Sequence, residues 1–342
     1  MKIDRDLLRG VAGVALAFLV IAAIHQLRPT STAAPDYPCA QSNETANISI
    51  SAGESGSSIA TKLRDADVTK SFAAFFRVAV ADSRSASIAP GIHQIHRRIC
   101  AKDALVELID SANITNLLAI NEGAWNTEIV TKLVALGFSR SEIKSAMSSV
   151  TLPQGYSALE GLLFPAQYSF DTSTSITEVL NSLVSRGLKE VSAAGINKAI
   201  GKYSPGQLLI IASLVQAEGD PEDYPKISQV VRNRLAIGMP LQFDSTVHYV
   251  KGVRGSVFLS TQSTYINSPY NTYKHYGLPP APINNPGVLA MKAAGAPAAG
   301  DWLYFITVAP GDTRFTAKID EFNQWKALYK KNLKAGKFRS NK

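Results

Sequence analysis

Ser204-Pro205-Gly206-Gln207-Leu208-Leu209-Ile210-Ile211-Ala212-Ser213-Leu214-Val215-Gln216-Ala217-Glu218-Gly219 reads as a helix that ends on a carboxylate. Ser204 is placed to cap its N-terminus, and Pro205 suits the first helical position. The run from Leu208 to Val215 is almost wholly apolar, so the helix is expected to be buried on most sides. Gly219 is expected to stop it in the left-handed conformation. Glu218 then lies at the negative end of the helix dipole, against apolar residues, with Asp220, Glu222 and Asp223 near it in sequence. Each of these disfavours the ionised carboxylate. A glutamic acid kept protonated near neutral pH can donate a proton to a leaving oxygen. The competing reading of the same segment is a structural helix-end carboxylate.

Upstream, the order of elements predicts an α+β chain in several parts. Lys2, Arg5 and Arg9 precede an uncharged apolar run from Gly10 to Ile24. Basic residues before an apolar run place the N-terminus in the cytoplasm. The expectation is a cytoplasmic N-terminus at 1–9, a transmembrane anchor at 10–26 and a linker at 27–46 rich in Pro, Ser, Thr and Ala. A cleaved signal peptide, with a poor site near Thr32-Ala33-Ala34, is the alternative, and both send the rest of the chain across a membrane. Residues 47–112 predict a small module. Asn47 to Ser51 and Ile92 to Cys100 alternate like strands, and Ser57 to Leu63 and Phe72 to Ala79 read as short helices. The order strand, helix, helix, strand is that of a LysM-like carbohydrate-binding unit. Residues 113–342 form the larger mixed region. It holds helices at Ile176 to Ser185 and Tyr224 to Ala236, and a strand-like run at Trp302 to Val308. Strand and helix do not alternate regularly, which favours α+β over a parallel α/β sheet.

The chain carries a net charge of +8, and seven of its cations (Lys326, Lys330, Lys331, Lys334, Lys337, Arg339, Lys342) follow Phe322 without an acid among them. This tail reads as a solvated end. It lacks the interleaved aromatics of a nucleic-acid motif, so no nucleic-acid partner is expected. Cys39 and Cys100 either pair in an oxidising compartment or remain as two thiols, and neither has metal-site spacing. His93 and His96 would face opposite sides of a strand, which argues against a metal. No phosphate loop, dinucleotide fingerprint or Gly-x-Ser-x-Gly is present. No cofactor and no metal are expected.

Polar groups cluster instead on stiff, irregular segments: Gly238-Met239-Pro240-Leu241-Gln242-Phe243-Asp244-Ser245-Thr246-Val247, Ser268-Pro269-Tyr270-Asn271-Thr272-Tyr273 and Gly277-Leu278-Pro279-Pro280-Ala281-Pro282-Ile283, followed by Asn284-Asn285-Pro286-Gly287. Amides, hydroxyls and aromatic faces on rigid loops are the materials of a sugar site.

These segments, with Leu159-Glu160-Gly161-Leu162-Leu163-Phe164-Pro165, Glu122-Gly123 and Asn233-Arg234-Leu235, resemble the YceG-like (MltG) family of membrane-anchored endolytic murein transglycosylases. The resemblance runs from about Ile48 to Glu321. Ser268 to Tyr273 matches the family's S-P-Y-N-T-Y in full, and its catalytic Glu falls on Glu218. The resemblance implies cleavage between MurNAc and GlcNAc in nascent glycan strands, leaving 1,6-anhydro ends. It implies Glu218 as acid and then base. Asn233, Arg234, Gln242, Asn271 and Tyr273 are expected at the sugar, with Glu160 and Asp244 in support. It also implies peptidoglycan glycan strands as substrate, penicillin-binding synthases as partners and a single-pass location in the bacterial plasma membrane. The chain departs from the family at Gln216, where a first Glu is usual, at Ala166 and Gln167, at Phe243 and Ser245, and at Phe322. Two rival readings remain. One is a muramidase that activates water through Asp220, Asp244 or Glu160. The other is a non-catalytic glycan-binding scaffold.

Overall fold

The computed structural model describes residues 34–39, 43–51, 53–170, 173–254 and 261–338. The expected anchor at 10–26 lies outside them. Among the described residues no helix is long and apolar enough to cross a membrane. The chain divides into two compact units, one up to Thr115 and one from Asn116.

In the first unit, β1 (Thr45–Ile50) pairs antiparallel with β2 (Gly91–His96), from Thr45 opposite His96 to Ile50 opposite Gly91. Between them run α1 (Gly56–Asp65) and α2 (Phe72–Ala81), and α3 (Ala101–Ile109) follows. Ser55 and Ser71 cap α1 and α2 by accepting from backbone N–H groups in the first turn, as short polar side chains do. Alternate residues of β1 (Ala46, Ile48, Ile50) enter a core with Leu63, Phe75, Ile95 and Leu105. The strand expected to reach Cys100 stops at His96, because Arg98 turns the chain with a φ of 55°. Cys39 and Cys100 are joined as a disulfide. The only group of metal-capable atoms among the described residues is Cys39, Cys100 and Asp103, and the disulfide leaves it no thiolate. His93 is buried and bonded to the Ala89 carbonyl, while His96 pairs with Glu107 on the surface.

The second unit is helical with two small antiparallel ladders. β3 (Leu117–Ala119) pairs with β4 (Gln167–Ser169). β5 (Tyr304–Ala309) pairs with β6 (Asp312–Thr316), with a bulge at Thr307/Ala309. α4 (Asn126–Ala135), α5 (Arg140–Ser149) and α6 (Ile176–Ala193) close one core around Leu118, Ile129, Leu133, Leu163 and Leu183. α6 runs well past Ser185 because its apolar stripe continues through Gly187 and Val191 at helical spacing.

The second core centres on α7 (Pro205–Glu218). Ser204 accepts from the Gln207 N–H while the Gln207 side chain accepts from the Ser204 N–H, a reciprocal cap. Every residue from Leu208 to Val215 is buried, against α8 (Tyr224–Ala236) and α10 (Val288–Gly295). α11 (Ile319–Lys334) packs on β5. Two expectations change here. Gly219 is extended (φ −165°, ψ −171°) and not left-handed. A Cβ there would lie 2.3 Å from Cδ1 of Ile227, so any larger residue would have to displace that buried methyl. Residues 244–251 also form a helix, α9 (Asp244–Lys251), where the sequence suggests an irregular segment.

Candidate active site

Glu218 ends α7 at the edge of a cleft of about 380 Å³. Glu122, Trp125, Gln216, Asp244, Ser245 and His248 are among its other walls. The Glu218 carboxyl opens to the cleft but is otherwise enclosed by protein. That loss of water raises its pKa from 4.5 to about 7. Asp244 pushes in the same direction by charge repulsion. The Ser245 hydroxyl and backbone N–H, and more weakly Arg234, pull it down. The opposing carboxylate is therefore Asp244 rather than the neighbours Asp220, Glu222 and Asp223.

The position of Ser245 follows from α9. Phe243 precedes the helix without capping it through its side chain, so the first-turn N–H groups need partners from elsewhere. Glu218 supplies one by accepting from the Ser245 backbone N–H, and the Ser245 Oγ–H donates to Glu218 Oε1 as well. The start of α9 is stitched to the Ser268–Tyr273 segment. The Gln242 N–H donates to the Thr272 carbonyl (3.1 Å), the Phe243 N–H to Thr272 Oγ1 (3.0 Å), and the hydroxyls of Thr246 and Thr272 lie 3.0 Å apart. The Tyr273 hydroxyl donates to Asp244 Oδ1. Its own ionisation is pushed up, first by burial and then by the aspartate that accepts its proton.

Of the residues expected at the sugar, Glu218 and Asp244 line the cleft, and Tyr273 is tied to it through Asp244. Gln242 is exposed beside them, with a left-handed backbone (φ 52°) that is uncommon for a residue with a side chain. The others have partners within the protein. Asn271 is fully buried, donating to the carbonyls of Thr264 and Ile266 and accepting from the Tyr273 N–H. Asn233 holds the carbonyls of Gly300 and Trp302. Arg234 is buried, with its guanidinium on the carbonyls of Leu303 and Leu241. It makes no ion pair with Glu218 among the described residues, so the acid is not locked. Glu160 is buried behind the cleft wall, accepting from the Asn126 N–H (3.0 Å) and the Tyr249 hydroxyl (3.2 Å). Burial lifts its pKa to about 7 as well.

Several residues that the motifs contain, but to which the sequence reading gives no role, build the site. Asn285 is a buried hub: its Oδ1 accepts from the N–H groups of Gly161 and Leu163, and its Nδ2 donates to the Ala124 carbonyl. It thereby ties the Leu159–Pro165 segment to the wall at 122–126. Gln216 donates to the Tyr224 hydroxyl (2.8 Å) and accepts from the Gly287 N–H (2.9 Å). A neutral amide suits a position between one donor and one acceptor. The Glu122 carboxyl packs over Gly287, where an added Cβ would lie 2.0 Å from Oε1 and turn that exposed side chain aside. Glu122 and Ser245 carry ordinary polar side chains, and nothing local in the sequence points to the cleft. Both reach it through loops whose partners are distant in the chain.

A sequence profile of the YceG-like family matches residues 48–327. The chain belongs to the YceG-like family. A Bacillus subtilis protein named endolytic murein transglycosylase is 31% identical over 311 residues, covering 84% of this chain and 86% of that relative. A Streptococcus pneumoniae protein of the same name is 36% identical over 153 residues, which are 43% of this chain and 28% of the longer relative. A crystal structure of a yceG-like protein from Listeria monocytogenes aligns with a TM-score of 0.57 at 27% identity, over 83% of this chain and 99% of that one. The matched family region contains the whole cleft, from Glu122 to Asn284.

Proposed function

We propose that this YceG-like chain is an endolytic murein transglycosylase that cleaves MurNAc–GlcNAc linkages and leaves 1,6-anhydro ends. The observation that carries the reading is a carboxyl with a pKa of about 7 facing a polar cleft, held by the hydroxyl and the backbone N–H of Ser245. The Ser245 hydroxyl donates to Oε1, and the acid form of Glu218 carries the proton that passes to a glycosidic oxygen. Transfer of that proton breaks the C1–O bond and leaves oxocarbenium character at C1. The negative charge of Asp244 opposes that positive charge. Glu218, now a carboxylate, takes the proton of the sugar's own C6 hydroxyl, and O6 bonds to C1. Holding that hydroxyl in place supplies the nucleophile without water. Glu160 lies behind the wall and does not line the cleft, so it is not available to activate water there.

We assign Glu218 as acid and base. Asp244, Tyr273 and Gln242 are assigned to the sugar, and Asn233, Arg234, Asn271 and Glu160 to holding the loops that present them. Residues 47–112 are proposed as a LysM-like glycan-binding module. Residues 10–26 are proposed as a single-pass plasma-membrane anchor, with the catalytic region outside and peptidoglycan synthases as neighbours.

The test is digestion of intact peptidoglycan, with new chain ends weighed by mass spectrometry. Anhydro ends that vanish in Glu218→Gln are expected. Reducing ends would indicate hydrolysis, and no new ends from folded protein would indicate a scaffold.

A further inference from the structure

A second pocket, of about 490 Å³, adjoins the catalytic cleft, and the two share Glu122 and Arg254 as a common wall. The wall is built to stay in place. The Arg254 guanidinium lies 4.1 Å from the centre of the Trp125 ring, donates to both Glu128 oxygens (2.6 and 2.9 Å) and donates to the Gly123 carbonyl. The two faces of this wall differ in chemistry. The Trp125 ring and neutral amides lie on the cleft side, as suits sugar rings. Among the described residues the second pocket has no aromatic in its lining. Its apolar part comes from Ile120, Ala124 and Ile129. Around that part stand charges of both signs, Glu122 and Glu128 against Lys132 and Arg254. Glu122 is exposed and makes no ion pair among the described residues.

The methyl-sized apolar surface lies beside the open Glu122 carboxylate, the Lys132 ammonium on the Ala119 carbonyl and the Arg254–Glu128 ion pair. It complements a short peptide of small apolar residues with an ammonium group for Glu122 and a carboxylate for Lys132. It does not complement another hexose, which needs ring faces and neutral hydrogen bonds. In murein such a peptide is covalently attached to the MurNAc ring, so one ligand would present a sugar to the cleft and a charged peptide across its wall. We propose that the second pocket receives the peptide branch of the substrate strand, so that the enzyme selects peptide-bearing glycan over peptide-stripped glycan. The inference rests on the transglycosylase reading of the cleft.

The test compares full-chain protein on two substrates, uncrosslinked peptide-bearing strands and the same strands stripped by an amidase, reading 1,6-anhydro ends. Charge-assisted contacts to the peptide are expected to raise kcat/KM by about tenfold on the peptide-bearing strand. Thr131 lies on the exposed face of α4 at the pocket rim, and its only hydrogen bond runs back to the Thr127 carbonyl in its own helix. Thr131→Trp and Thr131→Arg therefore narrow the pocket with two different shapes at little risk to folding. Both are expected to bring the ratio of the two rates close to one. Equal rates in the wild type would overturn the inference while leaving the transglycosylase reading intact. A parallel loss on both substrates in the Thr131 variants would make the pocket a further sugar subsite and overturn it too. Absence of anhydro ends from either substrate would overturn the reading of the cleft, and the inference with it.

Discussion

The hydroxyl of Ser245 donates to Oε1 of Glu218, so the first turn of one helix grips the last residue of another. That bond favours the charged carboxylate and opposes the upward pull of burial. Ser245→Ala removes it, so the Glu218 pKa moves further above the ordinary range. The basic limb of the kcat–pH profile is expected to shift upward by about one pH unit, from the usual strength of a hydrogen bond to a charged group. Turnover should also fall, because only the backbone N–H at position 245 then holds the carboxyl. Ser245→Thr, which keeps the hydroxyl, should restore the limb. An unmoved profile in Ser245→Ala would show that the bond does not tune the acid.

Glu218 and Glu160 share a second consequence. Both are raised from 4.5 to about 7 in the folded chain, chiefly by burial. The folded state therefore holds these protons more tightly than the unfolded one. Stability from both groups is full below about pH 4.5 and is lost as the pH rises to about 7. For Glu218 the loss is about 3 kcal/mol at most, at 1.36 kcal/mol per pH unit. Glu218→Gln, neutral at every pH, is expected to melt several degrees above wild type at pH 8 and close to it at pH 5. Parallel melting curves at both values would show that the carboxyl is not desolvated. Such a variant trades activity for stability, as a charge poised for catalysis would.

Gln216 stands where the family resemblance leads one to expect a Glu, and its two hydrogen bonds explain what the amide does here. Gln216→Glu keeps the bond from the Gly287 N–H, and the Tyr224 hydroxyl can rotate from accepting to donating. The fold should survive. The added negative charge on the cleft wall should raise the Glu218 pKa further and extend activity to higher pH. Gln216→Leu instead strands the Gly287 N–H, which should cost about 1–3 kcal/mol and loosen the 284–287 loop. Chemical denaturation of the two variants separates these effects.

The helix that carries Glu218 is legible in the sequence because cap, proline and apolar run agree with one another. Helix α8 is equally plain. Helix α9 is not: Phe243 offers no side-chain cap and only Thr246 and Val247 are buried along it, too few to show a period. Its start is decided by Thr272, a partner the local sequence does not reveal. The site residues divide on the same ground. Glu218 is visible from its own segment, since burial and helix end are local facts. Asn271, Asn233 and Arg234 have the right side chains for sugar binding, yet each is taken by backbone carbonyls. For Asn233 and Arg234 some of these carbonyls lie far along the chain, beyond the reach of local sequence reading. Ser245 is visible only as a departure from the family pattern, and its contact with Glu218 emerges only in three dimensions.

Gly219 gives the sharpest separation of two explanations for one residue. Replacing a left-handed glycine by Ala costs about 1–2 kcal/mol, wherever its neighbours stand. Gly219 is extended, and an added Cβ meets Cδ1 of Ile227 at 2.3 Å. Gly219→Ala should therefore destabilise by overpacking, about 1–3 kcal/mol, and should push Glu218 away from Ser245. Ile227→Val deletes the methyl in the way and by itself costs about 0.5–1.5 kcal/mol. If the clash governs, the double variant is more stable than the sum of the singles by at least about 1 kcal/mol, and it recovers part of the activity lost in Gly219→Ala. Simple additivity in a double-mutant cycle would instead assign the glycine to backbone conformation, and the tight approach of α8 to the end of α7 would not be what positions the acid.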